Sequence, residues 1–190
     1  MIAYHGTSKE SGEKIKRENS YKFSCGDNQW LGTGAYFFID SIYSESPIED
    51  AKCWAQLEAY DKDTKSYTYN EYSVIKNFIE GQLDIWDLSS EDGAEFFLLV
   101  KNSLAEKIYT NSVQKKLKKG PSDGIVINYA IEKIKNICYN IVKNNVYIQL
   151  TKVERLKRVR YCQPNCTALA VRDTSLVKIK DICEEGTCYE

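Results

Sequence analysis

The hydrophobic pattern changes period several times along the chain, and each change marks an element. Ile2-Ala3-Tyr4-His5 reads as a short strand, followed by a helix from about Ser8 to Glu18 that Thr7 or Ser8 can cap through its hydroxyl. Gly26-Asp27-Asn28 marks a loop. After Gly32 and Gly34, the run Ala35-Tyr36-Phe37-Phe38-Ile39 has the aromatic content of a buried strand, and the glycines permit a closely approached turn. Pro47, with Glu49 and Asp50 beside it, opens a helix that runs to about Tyr60 and buries Ala51, Trp54 and Ala55. Asp61 to Ser66 is polar and predicts a loop.

Tyr69 to Ile79 predicts a strand, and Glu80-Gly81 a turn into Leu83-Asp84-Ile85-Trp86, which could pair with it as a hairpin. Phe96, Phe97, Val100, Leu104 and Ile108 recur at helical spacing, so Glu91 to Tyr109 predicts a helix. The break at Gly120-Pro121-Ser122-Asp123-Gly124 precedes a short strand, Ile125-Val126-Ile127, and a helix from Tyr129 to Lys135. Further strands are predicted at Val146 to Leu150, Ala168 to Arg172 and Leu176 to Ile182. With neither a regular βαβ alternation nor an internal repeat, these elements predict a mixed α+β fold.

Composition narrows the class. At 190 residues the chain suits one core, so a single domain over residues 1–190 is expected. It is 43% hydrophobic and 28% charged, and no apolar run approaches the roughly 20 residues of a membrane helix, so no membrane partner is expected. The N-terminus shows no basic region followed by an apolar stretch, which predicts no secretory leader and a cytoplasmic location. Seven cysteines, an odd number, favour reduced thiols; Cys162/Cys166 and Cys183/Cys188 are not CxxC pairs, so structural zinc is not expected. The net charge of −1 hides two basic runs, Lys115 to Lys119 and Lys152 to Arg160, of a kind that follows a phosphate backbone or coats a solvated face.

No G-x-G-x-x-G follows a strand and no P-loop occurs, so neither usual nucleotide fold is supported. His5, the single histidine, ends the first strand beside Gly6 and Thr7. By itself such a histidine is more often a structural hydrogen-bonding residue than a ligand contact. The cluster from Trp30 to Phe38 joins a glycine turn to aromatic rings that can stack on a planar heterocycle, although on this cluster alone a core strand after a tight turn is the better explanation.

Taken together, His5-Gly6-Thr7, Gly32-Thr33-Gly34-Ala35-Tyr36-Phe37 and Ala51-Lys52-Cys53-Trp54-Ala55 resemble the ADP-ribosyltransferases. The similarity is to the His-Tyr-Glu branch shared by diphtheria-type toxins and poly(ADP-ribose) polymerases, and to its small bacterial toxins. It implies a mixed, mainly antiparallel β core with flanking helices and an NAD site at His5, Gly6, Thr7, Gly34, Tyr36 and Trp54, with Tyr36 also in the catalytic set. Gly6 would hold the nicotinamide amide, His5 the adenine-side ribose, and Tyr36 and Trp54 the nicotinamide ring. Trp54 departs from the usual Tyr. Asp123-Gly124-Ile125-Val126-Ile127 looks like a structural strand of the same relatives.

The third signature residue, a catalytic glutamate on a late strand, aligns with Ala168. Glu154 is the nearest upstream carboxylate, but it lies in the basic run and is a poor substitute. The resemblance implies a toxin that transfers ADP-ribose from NAD to a macromolecule without a metal, inactive in a chain with alanine at 168. An antitoxin partner and a toxin–antitoxin or antiphage setting are further expectations. Lys152, Arg155, Lys157, Arg158 and Arg160 precede the loop that approaches the acceptor in the family, and lean toward RNA or DNA over protein. Two other readings stay open: a catalytically silent NAD or ADP-ribose binding module, and a structural interaction domain.

Overall fold

The computed structural model describes residues 1–25, 29–61, 63–114, 122–157 and 161–188, with the side chains of 106–114, Lys152, Arg155 and Leu156 outside the description. Strand β1 (Ile2–Ser8) runs directly into α1 (Lys9–Glu18). The junction works because Ser8 keeps an extended backbone while its hydroxyl accepts from the Ser11 N–H at 3.2 Å, satisfying one of the donors a helix start leaves open. There follow β2 (Ala35–Ile39), α2 (Pro47–Glu58), the small pair β3 (Tyr60–Asp61) and β4 (Ser66–Tyr67), β5 (Glu71–Ile79) and β6 (Ile85–Asp87). The chain continues through α3 (Glu91–Gln114), α4 (Asp123–Lys133), β7 (Ile141–Val146), α5 (Lys152–Lys157), β8 (Cys166–Val171) and β9 (Val177–Thr187).

Seven strands form one sheet in the order β6-β7-β8-β2-β1-β5-β9, antiparallel throughout except for β6 with β7. The fold is therefore α+β. Strand alternation divides the core by sheet face. Ala35, Phe37 and Ile39 of β2 join Ala3, Tyr21, Leu169 and Val171 on the face that α1 covers. Tyr36 and Phe38 turn to the other face, where Ala51 and Ala55 of α2, Val100 and Leu104 of α3, and Val126 and Ile127 of α4 pack.

Four local expectations are corrected by long-range packing. Ile125-Val126-Ile127 is not a strand but the first turns of α4. A β-branched residue costs about 0.5 kcal/mol in a helix, whereas burying each side chain returns about 1.5–3 kcal/mol, and Val126, Ile127 and Ala130 are all buried. The helix expected from Tyr129 to Lys135 is thus the end of α4. The hairpin expected after Gly81 does not form: β6 crosses to the far edge of the sheet and pairs in parallel with β7, Ile85 opposite Ile141. Val146 to Leu150 gives only its first residue to β7. Beyond it Asn165 takes the place of a strand partner, its Oδ1 accepting from Ile148 N–H at 2.9 Å and its Nδ2 donating to Ile148 O at 2.8 Å. Asp61 to Ser66 is closed at both ends by the β3–β4 pair. The loop expected at Gly26-Asp27-Asn28 and the basic run Lys115 to Lys119 lie outside the described residues. Among the described residues no helix is long and apolar enough to cross a membrane.

Candidate functional site

The sheet has one interruption. β1 pairs with β5 along Ile2–Ser8 and β2 with β8 along Ala35–Ile39, but β1 and β2 meet at a single register position, Tyr4 opposite Phe38. Past it the two strands diverge, and a cavity of about 950 Å³ opens between them, lined by His5, Gly6, Tyr36, Trp54 and Ala168. A second cavity of about 700 Å³ runs along α1 and shares His5, Gly6, Ser24, Trp54 and Glu58 with the first.

His5 bridges the split. Its Nδ1 lies 2.7 Å from the Tyr36 carbonyl, which accepts only, so the ring carries its proton on Nδ1 and keeps Nε2 as an acceptor. Burial favours the neutral imidazole and lowers its pKa below the ordinary value, outweighing the Tyr36 carbonyl, which raises it. The ring is held from behind by Tyr21 at 5.1 Å and Phe37 at 5.7 Å between centroids. Tyr21 is itself fixed by donating to Asn77 Oδ1 at 2.8 Å. Gly6 is where α2 leans on the strand: a Cβ there would stand 1.7 Å from the Ala51 carbonyl oxygen, so only glycine lets helix and strand approach.

Tyr36 uses both capacities of its hydroxyl on the turn that precedes it, donating to Gly32 O at 2.7 Å and accepting from Leu31 N–H at 2.9 Å. Burial pushes its pKa up to about 12, so the phenol stays protonated. Gly32 has φ of +76°, which favours glycine there. The turn is tied to α4 and β8 as well: Asn128 Oδ1 accepts from Thr33 N–H and from Arg172, both at 2.8 Å, and Arg172 also donates to Thr33 O at 3.1 Å. Gly34 does not line the cavity; a Cβ there would lie 3.0 Å from the Val171 carbonyl, so its part is to let β2 approach β8. Thr7 lines the second cavity alone.

Trp54, expected to be buried, is only half-buried because it forms a cavity wall. Ala168, paired with Phe38 on β2 and Asn144 on β7, is 2% exposed and reaches the same cavity. Glu154 is committed elsewhere. Its carboxylate caps α5 through Thr151 N–H at 3.1 Å and Thr151 hydroxyl at 2.9 Å, and accepts from the Tyr147 hydroxyl at 3.0 Å. Tyr147 lines the cavity, and its hydroxyl bond to Glu154 ties α5 to that wall; Lys157 of the same helix is exposed. The side chains of Lys152 and Arg155, and Arg158 and Arg160 altogether, lie outside the described residues.

Sequence motifs do not single out Glu58, Tyr147 or Tyr161, which also line the cavity together with Trp30 of the aromatic cluster. For Glu58 the available signal is its spacing, one helical turn after Trp54 on α2. Nor do they single out Asp50, 7% exposed on α2, whose Oδ2 is buried with no hydrogen-bond partner among the described residues. Burial raises its pKa to about 6.

No family model matches this sequence, and no solved structure matches it. The chain is 29% identical over 143 residues to an uncharacterized protein of Methanocaldococcus jannaschii. The match covers 74% of this chain and spans about 60% of the archaeal protein's length.

Proposed function

We propose that this chain binds NAD in the cleft between β1 and β2 and descends from NAD-dependent ADP-ribosyltransferases of the toxin type. The observation that carries the reading is the convergence of His5, Gly6, Tyr36, Trp54 and Ala168, scattered over 164 sequence positions, on one cavity of about 950 Å³. In the reaction, the bond between the nicotinamide nitrogen and C1′ of its ribose breaks with its electron pair passing to nicotinamide. An acceptor nucleophile then bonds to C1′ and gives up its proton. Positive charge develops on the ribose, and a carboxylate fixed beside it lowers the barrier. Position 168 is where that carboxylate belongs, and its methyl group supplies no charge. The basic segment around α5 favours RNA or DNA as acceptor, with protein as the alternative and an antitoxin as a further partner.

Ala168 itself favours a second reading, a silent module that binds NAD or ADP-ribose without turnover. One experiment separates the two. Calorimetry should detect NAD binding to the chain, weakened in His5→Ala by about 1 kcal/mol for one lost hydrogen bond. Ala168→Glu should raise nicotinamide release by about 100-fold to 1000-fold. Binding without a gain in the Ala168→Glu protein favours the silent module, and a folded chain that binds no NAD overturns both.

A further inference from the structure

Trp30 stands in the cleft between the two rings that the NAD reading assigns to nicotinamide. Its indole is 5.2 Å from Trp54 and 6.5 Å from Tyr36 between centroids, turned 82° and 85° away from them. Aromatic pairs touch when their centroids are about 4.5–7 Å apart, so Trp30 is in contact with both. A planar ligand ring that is to lie against both Tyr36 and Trp54 must therefore take the volume the indole fills.

The position is built, not incidental. Leu31 N–H and Gly32 O on either side of the Tyr36 hydroxyl hold the residues after Trp30 in register with the ring below it. Gly32 N–H donates to Gln29 O, closing the turn that carries the indole. Yet Trp30 is 39% exposed, and its indole can change rotamer about its own side-chain bonds without breaking the hydrogen bonds of that turn. Trp86, by contrast, is 1% exposed.

We propose that Trp30 is a specificity-determining plug of the nicotinamide subsite: it occupies the slot between Tyr36 and Trp54 in the empty protein and is displaced by a planar heterocycle. This rests on the NAD reading. Displacement sacrifices two ring contacts, and the apparent affinity for a ligand that needs the slot is reduced by the fraction of molecules in which the slot is closed. A ligand lacking the ring does not meet this cost.

The test is calorimetry of NAD and of ADP-ribose, which has no nicotinamide, on the chain, on Trp30→Ala and on Trp30→Phe, with thermal melts to establish that each is folded. NAD should bind Trp30→Ala about tenfold more tightly than the chain, with Trp30→Phe between them, while the affinity for ADP-ribose stays unchanged. Unchanged or weaker NAD binding by Trp30→Ala, or an equal gain for both ligands, would overturn the plug while leaving the NAD site standing. If folded proteins bind neither ligand, the NAD reading itself fails, and the plug with it.

Discussion

Trp86 and Trp54 are the same residue type in opposite surroundings. Trp86 lies in β6 with its indole N–H donating to Gly93 O at 3.0 Å and its ring stacked at 25° on Tyr139, 5.5 Å away. Around it β6, β7 and β8 pair without interruption, and α3 and α4 cover the face with Val100, Leu104, Val126 and Ile127. Trp54 sits where β1 and β2 stop pairing after Tyr4 and Phe38, and it walls a cavity instead of filling a core. Rings become core where strands stay joined and wall a cavity where strands part. His5, whose pKa burial lowers, lines the cleft, while the buried cluster around Trp86 is apolar.

The largest effect should come from truncating the two tryptophans. Trp86→Ala empties a sealed core and should cost about 3–5 kcal/mol in urea unfolding. Trp54→Ala should cost about 1 kcal/mol or less, because its ring is half in solvent, and should weaken NAD binding instead. Equal stability losses at the two positions would break the comparison.

A smaller effect belongs to Asp50. Its folded pKa of about 6 lies above the ordinary 3.8, so as pH rises from 3.8 through 6 the unfolded chain ionises first and stability is lost. Asp50→Asn removes that loss. It should stabilise the protein by about 2 kcal/mol at pH 7.5 and change little at pH 4, read from denaturant midpoints at the two pH values. Destabilisation at pH 7.5 would mean that the hydrogen bond between Ser44 and the carboxylate outweighs the cost of burying its charge.

The smallest effect is that of His5, whose shift runs in the other direction. Its folded pKa is lowered, so its contribution is present above the ordinary 6.5 and lost as pH falls through the folded value, the unfolded chain taking up the proton first. Measured in the Asp50→Asn background, stability should fall on acidification below pH 6.5, and adding His5→Gln should flatten that slope. An unchanged slope would place the titration elsewhere.

Much of the cleft's raw material is legible along the chain. Ala35–Ile39 is a strand because its aromatic run follows a glycine turn, and α1 begins at Lys9 because Ser8 carries a capping hydroxyl. His5-Gly6 does not end the first strand as its local pattern predicts, since pairing with β5 carries β1 on to Ser8. The cleft itself is not legible, since nothing in Ile2–Ser8 or Ala35–Ile39 states that they share one register position and then separate. Trp30 is legible only as one ring of the aromatic cluster that runs to Phe38, because its place depends on Trp54, 24 positions later, and on Tyr36.

Caps, turns and strand-like runs are decided by neighbours within a few residues, so they could be read from residue order alone, and so could the presence of a histidine, a glycine and two stacking rings near one another in the first 55 residues. Tertiary packing decided the rest. It made Ile125–Ile127 a helix because burying Val126 and Ile127 outweighs their local preference, and it sent β6 to pair with β7 56 residues further on. It also parted β1 from β2, since each is held along its other edge, by β5 and by β8, while α2 sits against Gly6. Such choices depend on the summed burial of surfaces far apart in sequence, and no local pattern carries that sum.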